Sequence, residues 1–282
     1  MPGASVLLAS FAVHGTLPSL LPFVLATLGA YSAITSSYVF NDCCDIDVDR
    51  IGMPNRPLPS AMLSKREAEA WSLMLFAAAA AIAYYLNPES FAILIVATLM
   101  ITIYSTWAKR STPFSWIFVG ASFGLVPFGV WLAIEPAGIL KSGLGIHPAS
   151  VILALMICIT DWGFTNCDAS RDVAGDREKG IPTTPATFGI PASAKMVALF
   201  WLIGVVLSVA LGWSAGLGLI YLAVAAAAGA WLLLQNLDFV KNPTAKRGDR
   251  LFYQSANYRF VLFSAIIIDV LQRTMLPHMG LF

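Results

Sequence analysis

The 282-residue chain is 58% hydrophobic, only 12% charged, and has a formal net charge of +1. Its mean hydropathy of +0.75 exceeds what a soluble domain of this length needs for a core. The apolar residues fall in runs of about 20, the length of a bilayer-spanning helix, and not in the short alternating segments of a membrane β-barrel. The net charge itself excludes little, because the charges are unevenly placed.

In chain order, apolar segments fall at residues 3–14, 17–41, 67–86, 90–108, 114–133, 148–166, 192–212, 216–236 and 251–274. The first lies in MPGASVLLASFAVHG, which has neither the basic n-region nor the cleavage pattern of a signal peptide. At 1.5 Å per residue it is too short for a hydrocarbon core of about 30 Å, and it reads as a helix lacking its first turns. The other eight are long enough. The expected fold is all-α: a polytopic membrane protein of about nine helices forming a single domain over residues 1–282.

Loops after the second, fourth, sixth and eighth segments hold 14 of the 17 Lys and Arg residues. The opposite loops have Lys141 and, at the margin, Arg273. The positive-inside rule then places the charged loops and the N-terminus in the cytoplasm and the C-terminus outside it. Two of those loops, residues 42–66 and 161–191, dominate. Each follows an apolar segment and is rich in Asp, Arg, Gly and Pro, as if two similar halves met over one polar cavity.

The first loop opens with NDCCDIDVDR, four acids within eight residues. Asn41, Asp45 and Asp49 are spaced i, i+4, i+8 and share a helix face, with Asp42 beside them and Asp47 opposite. In the second loop Asp168, Asp172 and Asp176 repeat that spacing, with Asp161 two turns earlier. Like charges so placed repel unless something positive sits among them. Oxygen donors without His or thiolate favour Mg²⁺ or Ca²⁺ over zinc. Of the four cysteines, adjacent Cys43 and Cys44 diverge on a helix, and no CxxC pair exists. An EF-hand fails because its Gly and Glu positions are Arg50 and Arg56. Mg²⁺ binds through one or two carboxylates plus phosphate oxygens, so two acidic patches facing one cavity suit a Mg²⁺-bridged diphosphate. Arg50, Arg56, Lys109, Arg110, Arg171, Arg177 and Lys179 share these loops and can meet its oxygens. Glu67 and Glu69 fit the start of the third segment, where acids suit a helix N-terminus.

The residues then resemble the UbiA superfamily of intramembrane prenyltransferases. Asn41-Asp42-x-x-Asp45-x-x-x-Asp49 matches its NDxxDxxxD motif. MPNRPLPSAMLS is similar to its NRPLPSG segment, with Ala61 for Gly. YSTWAKRST, GASFGLVPFGVW and ANYRFVLF resemble later stretches. DVAGDREKGIPTTPATFG matches the second aspartate motif through Asp172 and Asp176. The resemblance implies a helical bundle around a lateral cavity open to lipid, capped by cytoplasmic loops. There an isoprenyl diphosphate is bound through Mg²⁺ and ionised, and an aromatic or lipid-like acceptor captures the allylic cation. It implies Asn41, Asp42, Asp45, Asp49, Asp172 and Asp176 as the metal–diphosphate set, to which the i, i+4 spacing adds Asp168 as a metal candidate. Arg56, Lys109 and Arg110 would contact the diphosphate. Asp168 stands where the family often has Tyr or Lys, leaving Arg171 as that loop's basic candidate.

Some relatives are terpene cyclases, in which a substrate alkene captures the same cation. The aspartates do not separate the two reactions. A cyclase needs an aromatic-lined pocket, for which Tyr38, Tyr104, Phe123, Trp162 and Phe164 are candidates. A cation channel or transporter would place acids along a crossing path, whereas these cluster at one face. A scaffold that merely kept the motifs would not need complete metal sites. The expected partners are an isoprenyl diphosphate, a lipophilic acceptor (none for a cyclase) and the lipid bilayer, with no nucleic acid or protein partner.

Overall fold

A computed structural model describes residues 1–139 and 145–275, so Lys141 lies outside the described residues. Among these all the regular secondary structure is helical. In order come α1 (Pro2–His14), α2 (Leu20–Cys44), α3 (Ile46–Gly52), α4 (Lys65–Leu86) and α5 (Pro88–Ile103), which runs through a π turn (Tyr104–Ala108) into α6 (Lys109–Ser111). They are followed by α7 (Trp116–Ile134), α8 (Pro148–Arg171), α9 (Val173–Glu178), α10 (Thr184–Phe188), α11 (Ile190–Ser214), α12 (Leu219–Lys241) and α13 (Ala245–Met275). Eight of these are long and apolar enough to cross a membrane, counting Pro88–Ser111 as one, and α1 is a ninth, shorter apolar helix.

Local chemistry fixes the helix starts. The Ser64 hydroxyl accepts from Glu67 N–H while Glu67 accepts from Ser64 N–H, a capping box that opens α4. Asn87 caps α5 and His147 caps α8, each followed by a proline whose missing N–H costs nothing at a first turn. Asp269, the lone acid deep in the last apolar segment, is buried and accepts from the N–H groups of Gly218 (2.9 Å) and Tyr221 (3.4 Å). It supplies α12 with acceptors for its first-turn donors, a structural task.

The long helices pack as two groups. In the first, α2 lies on α4, and α5 joins α4 to α7. In the second, α11 lies on α8 and α12, and α13 lies on α12 and α8. The groups meet where α7 packs on α8, and α1 touches α2, α7 and α13. The α7–α8 seam depends on small residues, because a Cβ on Gly124 would lie 2.7 Å from the Ala154 carbonyl oxygen. Such close approach is how helices associate where lipid removes the hydrophobic drive. The main core holds Trp131, Trp201, Tyr221 and Tyr258, and both tyrosine hydroxyls donate to Ser208. Outside it, Leu20, Leu73, Trp213 and Phe260 are among many exposed large apolar side chains. In a bilayer that surface needs no burial.

Candidate active site

Each acidic motif is built on a broken helix. α2 ends at Cys44, the chain turns at Asp45 (φ −104°, ψ 8°), and α3 begins at Ile46. α8 ends at Arg171, the chain turns at Asp172 (φ −93°, ψ 7°), and α9 begins at Val173. Asp45 N–H donates to Asn41 O at 3.0 Å, and Asp172 N–H donates to Asp168 O at 3.2 Å. The correspondence extends outward: Arg56, seven residues after Asp49, donates to Asp49 (2.8 Å), and Thr183, seven after Asp176, donates to Asp176 (2.8 Å). The two loops are therefore one local design used twice. Lys179 Nζ donates to Val48 O at 2.5 Å and ties the α9 turn to α3.

Between the breaks lies a polar cavity of about 430 Å³ lined by Asn41, Asp45, Asp49, Arg56, Lys109, Asp168, Arg171, Asp172, Asp176 and Lys179. A deeper cavity of about 810 Å³ shares Asn41, Arg56, Tyr104, Asp168 and Arg171 with it, and Asp42 also lines it. Its remaining walls include Tyr38, Phe123, Phe164, Phe252 and Phe260, drawn from α2, α7, α8 and α13. Tyr38 is 57% exposed and Phe260 74%, so this cavity opens sideways between α2 and α13. Met1 and Pro2, at the start of α1, complete part of its wall.

Three basic side chains pair with most of the carboxylates of the polar layer. Lys109 Nζ donates to Asp45 Oδ2 at 2.5 Å, and Arg56 also reaches Asp42 at 3.3 Å. Arg171 pairs with Asp168 (2.7 Å) and Asp172 (2.8 Å). The π turn immediately precedes Lys109, and its Ser105 hydroxyl accepts from Asn41 at 3.1 Å. Burial raises the Asp176 carboxyl above its ordinary range, partly opposed by the Thr183 hydrogen bond.

Among the described residues no three of His, Cys, Asp and Glu are gathered as a ready-made metal site. The donors nonetheless fit a hard cation. Asp45 is 3% exposed, and its Oδ1 is buried with no hydrogen-bond partner, a costly state that a cation would relieve.

The sequence matches the profile described as the UbiA prenyltransferase family over residues 3–263. The chain belongs to the UbiA family. It is accordingly an intramembrane prenyltransferase and an integral membrane protein. It is 31% identical over 225 residues to the digeranylgeranylglyceryl phosphate synthase of Thermococcus kodakarensis, covering 79% of this chain and 77% of that one. It is 27% identical over 250 residues to the protoheme IX farnesyltransferase of Korarchaeum cryptofilum, covering 87% and 82%. The apo structure of a UbiA homologue from Aeropyrum pernix K1 superposes with a TM-score of 0.77 at 23% identity, over 95% of this chain and 97% of that one. The fold is also shared, at a TM-score of 0.55 and 18% identity, with an Archaeoglobus fulgidus UbiA homologue bound to GPP and Mg²⁺, over 94% and 96%.

Within this UbiA bundle most of the site residues expected from sequence converge, and two do not. Arg110 is corrected: it lines neither cavity, and its guanidinium forms a two-pronged pair with Asp47 at 2.7 and 2.9 Å. Asp47 is thereby held at a pKa of about 2. The cause is rotational, since Arg110 follows Lys109 by one residue and so points about 100° away. Trp162 is corrected too. It packs against Trp116 (5.2 Å between ring centroids) and Phe200 (5.5 Å) outside both cavities. Trp116 lines the polar cavity instead, its Nε1–H donating to Thr184 at 3.0 Å. Sequence reading also missed Arg259, on the deeper cavity wall. The signal was available: a single arginine inside an apolar segment marks function by default.

Proposed function

We propose that this UbiA-family enzyme ionises an allylic isoprenyl diphosphate with Mg²⁺ and transfers the prenyl group to a lipophilic acceptor, releasing diphosphate. The observation that carries this reading is the pair of matching helix breaks whose carboxylates face one polar cavity continuous with a lateral apolar one. Asn41, Asp42, Asp45, Asp49, Asp168, Asp172 and Asp176 are the oxygen donors that would hold Mg²⁺. When bound, the ion offsets the negative charge that builds on the departing diphosphate. Arg56, Lys109 and Arg171 pair with the carboxylates across the cavity and supply donors to diphosphate oxygens. Tyr104, at the junction of the cavities, and Tyr38, Phe123 and Phe164 below it line the path of the prenyl group with aromatic side chains, which favour positive charge and keep water from the reacting carbon.

The names of the relatives support an acceptor that is itself membrane-soluble. The deciding assay incubates the purified protein in lipid with Mg²⁺ and isoprenyl diphosphates from C5 to C20. Release of diphosphate that stops on chelation is expected, with prenyl transfer once an acceptor is added. A cyclic hydrocarbon formed without acceptor would replace transfer by cyclisation. No release at any chain length would overturn both.

A further inference from the structure

Below its shared polar end, the deeper cavity is walled mainly by apolar and aromatic side chains, yet it holds one charged pair. Asp161 of α8 and Arg259 of α13 both line it, and Arg259 Nη1 donates to Asp161 Oδ1 at 2.9 Å. The arginine's other terminal nitrogen is also committed, while its Nε is buried without a partner. Its Nη2 donates to Thr160 Oγ1 at 3.2 Å, and its guanidinium lies 5.0 Å from the Phe164 ring centroid and 5.9 Å from that of Trp201. Asp161 is only 5% exposed, and Oδ2 takes no hydrogen bond from any described residue. A pair serving only to join two helices would use both oxygens, because an idle acceptor in an apolar interior costs free energy. Here the arginine fixes the carboxylate and leaves one oxygen available to the cavity.

Asp161 is seven residues before Asp168 on one helix, two turns or about 10 Å away along the axis. That depth leaves room for a diphosphate and its first prenyl carbon between the two carboxylates. We propose that Asp161, oriented by Arg259, is the acceptor subsite: its Oδ2 accepts a hydrogen bond from an acceptor hydroxyl and takes the proton as the prenyl group is transferred. The inference rests on the prenyl-transfer reading above. An acceptor oxygen lone pair forms the bond to prenyl C1, and the C1–O bond breaks with its electron pair on the diphosphate. The hydroxyl proton passes to Asp161. The acceptor class is an amphiphile carrying an alcohol or phenol hydroxyl, entering from lipid through the opening beside Tyr38 and Phe260. Arg259 is a positioning residue; Asp161 touches the reacting group.

The test uses the full chain in lipid nanodiscs with Mg²⁺ and geranylgeranyl diphosphate. Two acceptor probes are added separately: a glyceryl phosphate with one geranylgeranyl ether and one free hydroxyl, and a long-chain phenol. Asp161→Asn is expected to lower transfer at least about 100-fold, the scale of a lost general base, while the donor diphosphate binds within about threefold of wild type. Asp161→Glu is expected to recover part of the loss, which a purely structural role would not give. Should Asp161→Asn fail to fold with Arg259 left unpaired, Asp161→Asn/Arg259→Met removes the charge pair together and gives the same readout. Transfer within threefold of wild type in the variant overturns this inference alone, as does a parallel loss of donor binding and transfer. Wild-type protein that releases no diphosphate overturns the transfer reading, and this inference with it.

Discussion

At the scale of single residues, the two break-point aspartates carry the sharpest expectation. Asp45 and Asp172 occupy the same place in the two halves of the site, each paired with a cation and facing the polar cavity. Asp45→Ala and Asp172→Ala should each lower Mg²⁺-dependent diphosphate release by at least about 100-fold, as expected on removing one preorganised charge from a reacting centre. The thermal unfolding midpoint in detergent should change little in Asp172→Ala, because Arg171 keeps Asp168 at 2.7 Å, and should fall in Asp45→Ala, which leaves the largely buried Lys109 without its carboxylate. Wild-type release rates in either variant would contradict a shared site. Asp47, one register away, should behave differently. Its carboxyl pairs with Arg110 outside both cavities, so Asp47→Asn should leave turnover within about threefold. The pair is exposed and screened by solvent, so its contribution stays under about 1 kcal/mol. The Asp47 pKa is depressed to about 2 in the folded protein, below the ordinary carboxylate value near 3.9. Its stabilisation is therefore present above that ordinary value and lost as pH falls through about 2. The difference in unfolding midpoint between wild type and Asp47→Asn should be constant from pH 7 to 5 and shrink between about pH 4 and 2. The i, i+4 spacing made the facing acids legible, and with them Asp47 as the outlier. Arg110 was not legible, because adjacent bases give no hint of which one turns inward until the preceding backbone is known.

At the scale of elements, hydropathy located all nine apolar helices, but their polar ends extend past the apolar runs. α2 reaches Cys44 beyond the run at 17–41, and α13 begins at Ala245 before the run at 251–274. The missing turns are the ones that carry Asp42, Asp168 and Arg171, because a charged turn is invisible to an apolar count while its backbone remains helical. The breaks at Asp45 and Asp172 and the π turn at Tyr104–Ala108 are backbone events with no residue signature here, though π turns often mark functional segments. Helix contact was better written, in the Gly-rich stretch of α7. Alanine at Gly124 would place a methyl 2.7 Å from the Ala154 carbonyl oxygen, a neighbour that cannot move without shifting α8. Gly124→Ala should destabilise the protein by about 1–3 kcal/mol, the range for overpacking, seen as a lowered unfolding midpoint in detergent. Gly3→Ala is the control. Its added methyl meets side-chain atoms no closer than 3.7 Å, so a neutral or slightly stabilising effect is expected from helix propensity. Equal destabilisation by both would remove the special role of the α7–α8 seam.

At the scale of the whole molecule, the helix ends sort into two faces by direct contact, and the charges then orient them. The ends of α2 and α8, the start of α6 and the turns at α3 and α9 converge on the polar cavity, so they share one side. On the other side, His14 at the end of α1 lies 2.9 Å from Glu135 just past α7. Arg273 near the end of α13 donates to Gly216 between α11 and α12 at 2.7 Å. The cavity side holds 14 of the 17 basic residues, and Arg259 is withdrawn into the interior, where it does not count toward loop charge. Basic residues close to helix ends set orientation because they resist translocation, whereas acids contribute little. The cavity-side loops should therefore face the cytoplasm, which is also where a water-soluble diphosphate could leave. A fluorescent reporter fused after Asn242, between α12 and α13, should fold and report from the cytoplasm. The same reporter after Arg273 should be dark, and an alkaline phosphatase fusion there active. The opposite pattern would place the polar cavity outside and require the positive-inside count to be overridden by another signal in the chain.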